Sequence, residues 1–259
     1  MSDTQTAALR TPSMRLDGLV GVVTGAGRGL GRGCALALAD AGAEVVLVSR
    51  TRSELETLAA EIRGRGGKAQ PLVCDILDAR QITERIEALA RIDILVNNAG
   101  GNIPEPFVQV TEERLDRILN INVRSAFLVG QAVARRMIAG GRGGAIIQMS
   151  SQMGHVGAAN RTVYCMTKHA VEGLVKAMAV ELAPHRIRVN AIGPTFIVTP
   201  MTKPFFENQA FRDDALASIP LGRLGEIEDI MGAIVFLASP AAALITGASL
   251  TIDGGWTAR

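Results

Sequence analysis

Short apolar runs alternate with longer periodic stretches along the whole chain. Seven runs rich in Val, Ile and Leu read as strands: Leu19–Thr24, Glu44–Ser49, Lys68–Cys74, Ile92–Asn97, Gly144–Met149, Arg188–Ile192 and Ser249–Ile252. Most do not alternate apolar with polar, as expected of strands buried on both faces. Between them lie helical stretches at Leu30–Ala41, Arg52–Gly64, Ala79–Ala90, Thr111–Ala139, Val163–Ala183 and Ile227–Ala238. In Arg52–Gly64 one apolar stripe runs through Leu55, Leu58, Ala59 and Ile62, and Gly64 stops it. Strand–helix alternation from end to end predicts an α/β fold. The expected form is a doubly wound, mostly parallel seven-stranded sheet with helices on both faces.

No Pro/Ser-rich linker divides the chain, so residues 15–259 are expected to form a single domain behind a loose tail at 1–14. Met201–Ile219 fits the alternation poorly. It carries Pro204, Phe205, Phe206 and Phe211 where no strand is predicted. Either a mobile segment over a ligand or an ordinary surface helix has this pattern. The 48% hydrophobic content of 259 residues fills a large core without metals or disulfides.

A formal net charge of +2, with dispersed charges, makes no case for nucleic acid. Cys34, Cys74 and Cys165 are odd in number and lack CxxC spacing, which suits reduced thiols in a cytoplasmic protein. The N-terminus lacks the apolar core of a secretory signal, and no uncharged run is long enough to span a bilayer. His155, His169 and His185 have no metal-site spacing, and no acidic cluster reads as one, so no metal is expected.

The first strand ends in Thr24-Gly25-Ala26-Gly27-Arg28-Gly29-Leu30-Gly31, and a helix follows at once. Glycines here allow a tight turn and let backbone approach a pyrophosphate on the helix N-terminus, as in Rossmann folds. The strict G-x-G-x-x-G spacing is not met; the fit is to T-G-x-x-x-G-x-G. An acid that would bind an adenosine ribose is expected about 20 residues further on. That position holds Ser49, followed by Arg50. Serine with arginine suits a 2′-phosphate, and Arg28 can reach the same group. NADP(H) is therefore favoured, with NAD(H) as the alternative.

Tyr164, the only tyrosine, precedes Lys168 by one helical turn, so phenol and ammonium share a face. A tyrosine pKa of about 10 falls beside a cation, giving an acid/base nearer neutral pH. Lysine at i+4 is common on helices, so the pair gains weight from its surroundings. Upstream, a buried strand ends in Ser150-Ser151 at the sheet edge where open-sheet ligands bind.

Together these residues resemble the short-chain dehydrogenase/reductase family from Leu16 to the C-terminus. The matching motifs are Thr24–Gly31, Asp75, Asn97-Asn98-Ala99-Gly100, Asn122, Ser151, Tyr164–Lys168 and Asn190–Pro194, with Tyr164 thirteen residues after Ser151. The resemblance implies Tyr164 as acid/base and Ser151 as hydrogen-bond partner of the reacting oxygen. It implies Lys168 as tuner of Tyr164 and holder of the nicotinamide ribose, and Asn122 as anchor of a relay water. It also implies Asp75 and Ile76 by the adenine, Asn98, Ala99 and Gly100 along the adenosine-ribose side, and Pro194, Ile197 and Thr199 at the nicotinamide. One departure is Thr195, where the family often has glycine after that proline. Pro194-Thr195-Phe196-Ile197 is similar to sugar- and polyol-acting members such as gluconate dehydrogenases.

Polar candidates for substrate contact are Asn102, Gln152, His155 and Asn160, with Phe205 as an apolar one. The resemblance implies a homotetramer paired through Thr111–Ala139 and Val163–Ala183, with Trp256 at a second interface. The leading expectation is an NADP(H)-dependent carbonyl reductase or alcohol dehydrogenase for a small polar substrate. The alternatives are a 3-oxoacyl-(acyl-carrier-protein) reductase and a non-catalytic dinucleotide-binding regulator.

Overall fold

Neighbouring residues of a strand point to opposite faces of a sheet, and this chain fills both. The computed structural model describes residues 9–258. Its strands are β1 (Val20–Thr24), β2 (Glu44–Ser49), β3 (Lys68–Val73), β4 (Ile94–Asn97), β5 (Gly144–Met149), β6 (Ile187–Pro194) and β7 (Ser249–Ile252). Every pairing is parallel, in the order β3-β2-β1-β4-β5-β6-β7. Val23, Val45, Leu47, Val96 and Ile147 face one core, and Val22, Val46, Val48, Leu95 and Ile146 the other.

Helices α1 (Gly29–Asp40), α2 (Arg52–Gly64) and α8 (Ile227–Ala238) cover the first face. Cys34, Leu38, Leu58, Ile62, Ile230 and Ile234 supply their buried side chains. Helices α3 (Ala79–Ile86), α5 (Ser125–Gly140) and α6 (Thr162–Leu182) cover the second through Ile82, Ile86, Val129, Val133, Val171 and Val175. The predicted stripe of α2 is buried at all four positions, Leu55, Leu58, Ala59 and Ile62.

The predicted single helix Thr111–Ala139 is interrupted. It forms α4 (Glu112–Leu119), a π-helical turn over Asn120–Arg124, and then α5. A π turn inserts one residue into the helical ladder and re-aims a side chain, and such turns gather at functional sites. Here the re-aimed side chain is Asn122. The Met201–Ile219 region becomes a 3₁₀ turn, Lys203–Glu207, and helix α7 (Gln209–Ser218). Of the predicted tail, residues 1–8 lie outside the described residues, and 9–14 are exposed. No helix of the described residues is long and apolar enough to cross a membrane.

The chain leaves β1 to one side and continues across to β4 on the other, so the sheet order reverses between them. The loops beyond the carboxyl ends of β1 and β4 therefore diverge and leave a crevice, the usual ligand position in such sheets.

Candidate active site

That crevice opens into a cleft of about 400 Å³, within the range of small-molecule sites. Its floor is the turn after β1. Gly25 and Gly29 have φ of 65° and 57°, left-handed values that favour glycine. Gly31 has no positive φ but no room. A Cβ there would overlap the Gly25 carbonyl oxygen and lie 2.6 Å from Asn98 Nδ2. Gly25, Gly27, Arg28, Gly29, Leu30 and Gly31 all line the cleft.

Thr24 lies behind this wall, fully buried. Its hydroxyl donates to Asn97 Oδ1 at 3.1 Å and accepts from the Asn98 and Ala99 amides at 3.0 and 3.1 Å. Asn98 Nδ2 donates to the Thr24 carbonyl at 2.9 Å. Thr24 thus braces the β1 turn against the β4 turn, and Asn98, Ala99 and Gly100 line the cleft beside it.

The residues following β2 and β3 form the far end: Ser49, Arg50, Asp75 and Ile76. Arg50 is exposed. Glu54, in the first turn of α2, also lines this end, a carboxylate that sequence reasoning missed.

The opposite end carries the hydroxyl residues. Tyr164, in the first turn of α6, lines the cleft together with Ser151, just after β5, whose Oγ accepts the Met153 amide at 3.2 Å and donates to the Pro194 carbonyl at 3.4 Å. Lys168 is buried one turn along; its Nζ donates to the Met149 carbonyl at 2.7 Å and stands 5.5 Å from the Tyr164 ring centroid. The electrostatics differ from the expectation that Lys168 lowers the Tyr164 pKa. Burial raises it above the ordinary value; the opposing lowering comes from the nearby Ser151 hydroxyl and the Arg161 charge. Burial also brings Lys168 down to about 8, only partly countered by Glu172. Desolvation penalises both charged forms at once, and the lysine amine is tied to a backbone carbonyl rather than to the phenol.

Asn122 does not line the cleft. The π turn hooks it to the loop after β4: its Oδ1 accepts from the Gly101 amide at 2.8 Å, and its Nδ2 donates to the Gly101 carbonyl at 2.9 Å and to Thr167 Oγ1 at 3.0 Å. It therefore ties that loop to α6 between Tyr164 and Lys168.

Of the substrate candidates, Asn102, Gln152 and Phe205 line the cleft, whereas His155 and Asn160 do not. His155 is turned away because Nε2 sits 3.0 Å from Ser249 Oγ and 3.4 Å from Glu172 Oε1. Asn160, at a left-handed φ of 59°, accepts the Glu105 amide at its carbonyl, 2.9 Å away. Pro194, Ile197 and Thr199 line the cleft after β6. Thr195 keeps an ordinary φ and donates its amide to Ile252 at 3.1 Å, so threonine here imposes no left-handed strain. Its Oγ1 is buried in the wall without a hydrogen-bond partner, as are Asn102 Oδ1 and Gln152 Oε1. Buried polar atoms left open in a cleft are free to bond a group that enters it. The glycine cradle and these open groups fit a dinucleotide with a polar substrate beside it.

Sequence reasoning also missed Arg161 and Phe196, both in the wall. Arg161 is buried only because Phe196, Phe205 and Phe211 from a distant segment enclose it. No local pattern announces that. Among the described residues no cluster of His, Cys, Asp or Glu could hold a metal, and all three cysteines are free and buried.

Those thiols set an alkaline limit. Burial moves Cys34 from 9.0 up to about 12 and Cys74 up to about 11. Raised pKa values give stability that is present below pH 9.0 and lost as pH climbs through the folded values. Lys168 acts oppositely: its depressed value of about 8 against 10.5 means stability recovers as pH rises across that interval. We expect the melting temperature to rise from about pH 8 to about pH 9 and to fall beyond. Calorimetric melts across this range check it; a steady rise to pH 11 would contradict it.

A family model described as Enoyl-(Acyl carrier protein) reductase matches residues 25–257. L-xylulose reductase of Mus musculus is 42% identical over 243 residues, covering 94% of this chain and 98% of that protein. A 3-oxoacyl-(acyl-carrier-protein) reductase of Thermotoga maritima is 41% identical over 246 residues, covering 93% and 99%. The crystal structure of a gluconate 5-dehydrogenase from Burkholderia cenocepacia, in complex with NADP and tartrate, superposes with a TM-score of 0.91 at 36% identity, covering 95% of this chain and 98% of that one.

Proposed function

Because this chain belongs to the short-chain dehydrogenase/reductase family, oxidoreductases of CH–OH and carbonyl groups, we propose that it moves a hydride between NADP(H) and a small polar substrate of sugar, polyol or keto-acid type. The observation that carries this reading is that Tyr164, Ser151 and Lys168 line the same cleft as the glycine turn. The relatives named for xylulose and gluconate support the substrate class, and the NADP-bound neighbour supports the cofactor.

Bound NADP(H) supplies or accepts the hydride; that chemistry is the cofactor's. The chain supplies the proton and the orientation. A phenol whose pKa is raised stays protonated near neutrality, so Tyr164 is charged with the proton that a carbonyl oxygen needs on reduction. Ser151 donates to the same oxygen and stabilises its developing charge. Lys168 holds the nicotinamide ribose, and its pKa near 8 lets it pass a proton toward Tyr164, while Asn122, its side chain committed to Gly101 and Thr167, braces the loop beside them rather than a relay water. The glycine turn holds the pyrophosphate on the N-terminus of α1. Ser49, Arg50 and Arg28 hold the 2′-phosphate. Asp75 and Ile76 flank the adenine, Asn98 to Gly100 the adenosine ribose, and Pro194, Ile197 and Thr199 the carboxamide.

The cofactor assignment has its own test. In Arg50→Asp a charge-assisted contact is lost and a repulsion gained, so the NADPH Kd should rise about tenfold or more beyond any change for NADH. Equal changes for the two cofactors would refute the 2′-phosphate role.

The Thermotoga maritima relative favours one other reading, reduction of 3-oxoacyl thioesters. Comparing kcat/KM for keto-sugars and acetoacetyl thioesters separates them. A purely regulatory role leaves the tyrosine–lysine pair without a physical purpose. Exposed Phe127 on α5, and Met166 and Val180 on α6, support a homotetramer. Light scattering that reports the single-chain mass would contradict it.

A further inference from the structure

Arg161 stands three residues before Tyr164, at the N-cap of α6. It is 8% exposed, yet among the described residues its guanidinium has no hydrogen bond or ion pair. Aromatic rings surround it instead. Its central carbon lies 5.7 Å from the ring centroids of Phe196 and Phe205 and 5.8 Å from that of Phe211. Trp256 and Phe206 pack against Phe196 at 5.6 and 6.1 Å and hold that ring in place. The titratable groups that bear on Arg161 are Tyr164 and Cys165, not a carboxylate.

A guanidinium stays charged in proteins and carries five donors. Burying it unpaired is costly, and ring faces recover only part of that cost. A protein keeps such an arrangement where an anion arrives to complete it. The planar fork matches a carboxylate with two parallel hydrogen bonds. The first turn of α6 adds positive potential of the same sense, with no acidic side chain and no side-chain cap to oppose it. In the same cleft, Gln152 Oε1 and Asn102 Oδ1 are buried acceptors without donors, matched to hydroxyl groups.

Resting on the proposed hydride-transfer function, we infer that Arg161 anchors the carboxylate of the substrate, which makes the substrate a short polyhydroxy or oxo acid rather than a neutral sugar. Arg161 and Tyr164 line the same cleft, and each bears on the other's charge. A carboxylate held at Arg161 thus lies within the same short substrate as the carbon that reacts at Tyr164.

The test pairs D-gluconate with glucitol, the same carbon chain without the carboxylate, and adds inorganic phosphate. Binding is read from the fluorescence of Trp256, the only tryptophan, which needs no turnover. Gluconate should bind the wild-type protein, and glucitol about a hundredfold more weakly, the usual cost of leaving one member of a buried charge pair alone. In Arg161→Gln the preference should collapse to a few-fold at most, and Arg161→Lys should recover part of it, with melting temperatures confirming that both fold. Equal binding of gluconate and glucitol, or tight binding of phosphate with none of gluconate, overturns the carboxylate anchor. Turnover of neutral ketoses at full rate alongside either result leaves the hydride-transfer reading intact while removing this one. Carboxylate-selective binding without turnover of any alcohol or ketone removes the hydride-transfer reading and keeps Arg161 as an anion site.

Discussion

Tyr164→Phe should lower kcat for carbonyl reduction by about 10²–10⁴-fold, the usual worth of a positioned general acid. The ring remains, so its packing in the cleft is kept. The lost atom is the phenolic oxygen, in the cleft that Ser151 also lines. NADPH affinity should change by less than about tenfold, since one lost hydrogen bond is worth about 1 kcal/mol. Single-turnover kinetics and a cofactor titration on the same preparation separate the two effects. Activity retained within a few-fold would remove Tyr164 from the chemistry.

Gly31→Ala should damage cofactor binding strongly. The new Cβ meets the Gly25 carbonyl and the Asn98 amide, and neither is the free end of a flexible chain. The turn must shift, and Thr24's bonds to the Asn98 and Ala99 amides shift with it. Overpacking of this kind costs about 1–3 kcal/mol of stability. Displaced amides in the turn should raise the NADPH Kd about a hundredfold, on the scale of two lost charge-assisted hydrogen bonds. Gly64→Ala is the control. Nothing lies within 4 Å of its Cβ position, and its φ is not left-handed. Its melting temperature should match or slightly exceed the wild type. Calorimetry of both variants, with and without NADPH, checks the contrast.

Much of this arrangement is legible in one dimension because it is local. Strand burial follows from runs such as Glu44–Ser49, and the glycine turn follows from eight consecutive residues. Tyr164 and Lys168 are one helical turn apart, so their neighbourhood needs no tertiary knowledge. What escaped is non-local. The interruption at Asn120–Arg124 depends on the bonds Asn122 makes to Gly101 and Thr167. His155 follows Ser151 closely, yet Ser249 on β7 and Glu172 on α6 hold it outside the cleft. Arg161 looks like a surface arginine at a helix start until Phe196, Phe205 and Phe211 close over it. The pKa directions are likewise a property of burial. Spacing alone suggested a lysine that lowers the tyrosine; desolvation moves both groups the other way.

In the proposed function one cleft joins a dinucleotide site to proton transfer at Tyr164. The most direct measurement uses NADPH deuterated at the transferable position of nicotinamide C4, with the protein and a panel of oxo acids and ketoses. An alcohol product carrying one deuterium on the new carbinol carbon should be formed by the wild-type protein, and almost none by Tyr164→Phe. Cofactor bound but no deuterium delivered to any member of the panel, or equal delivery by the variant, would contradict it.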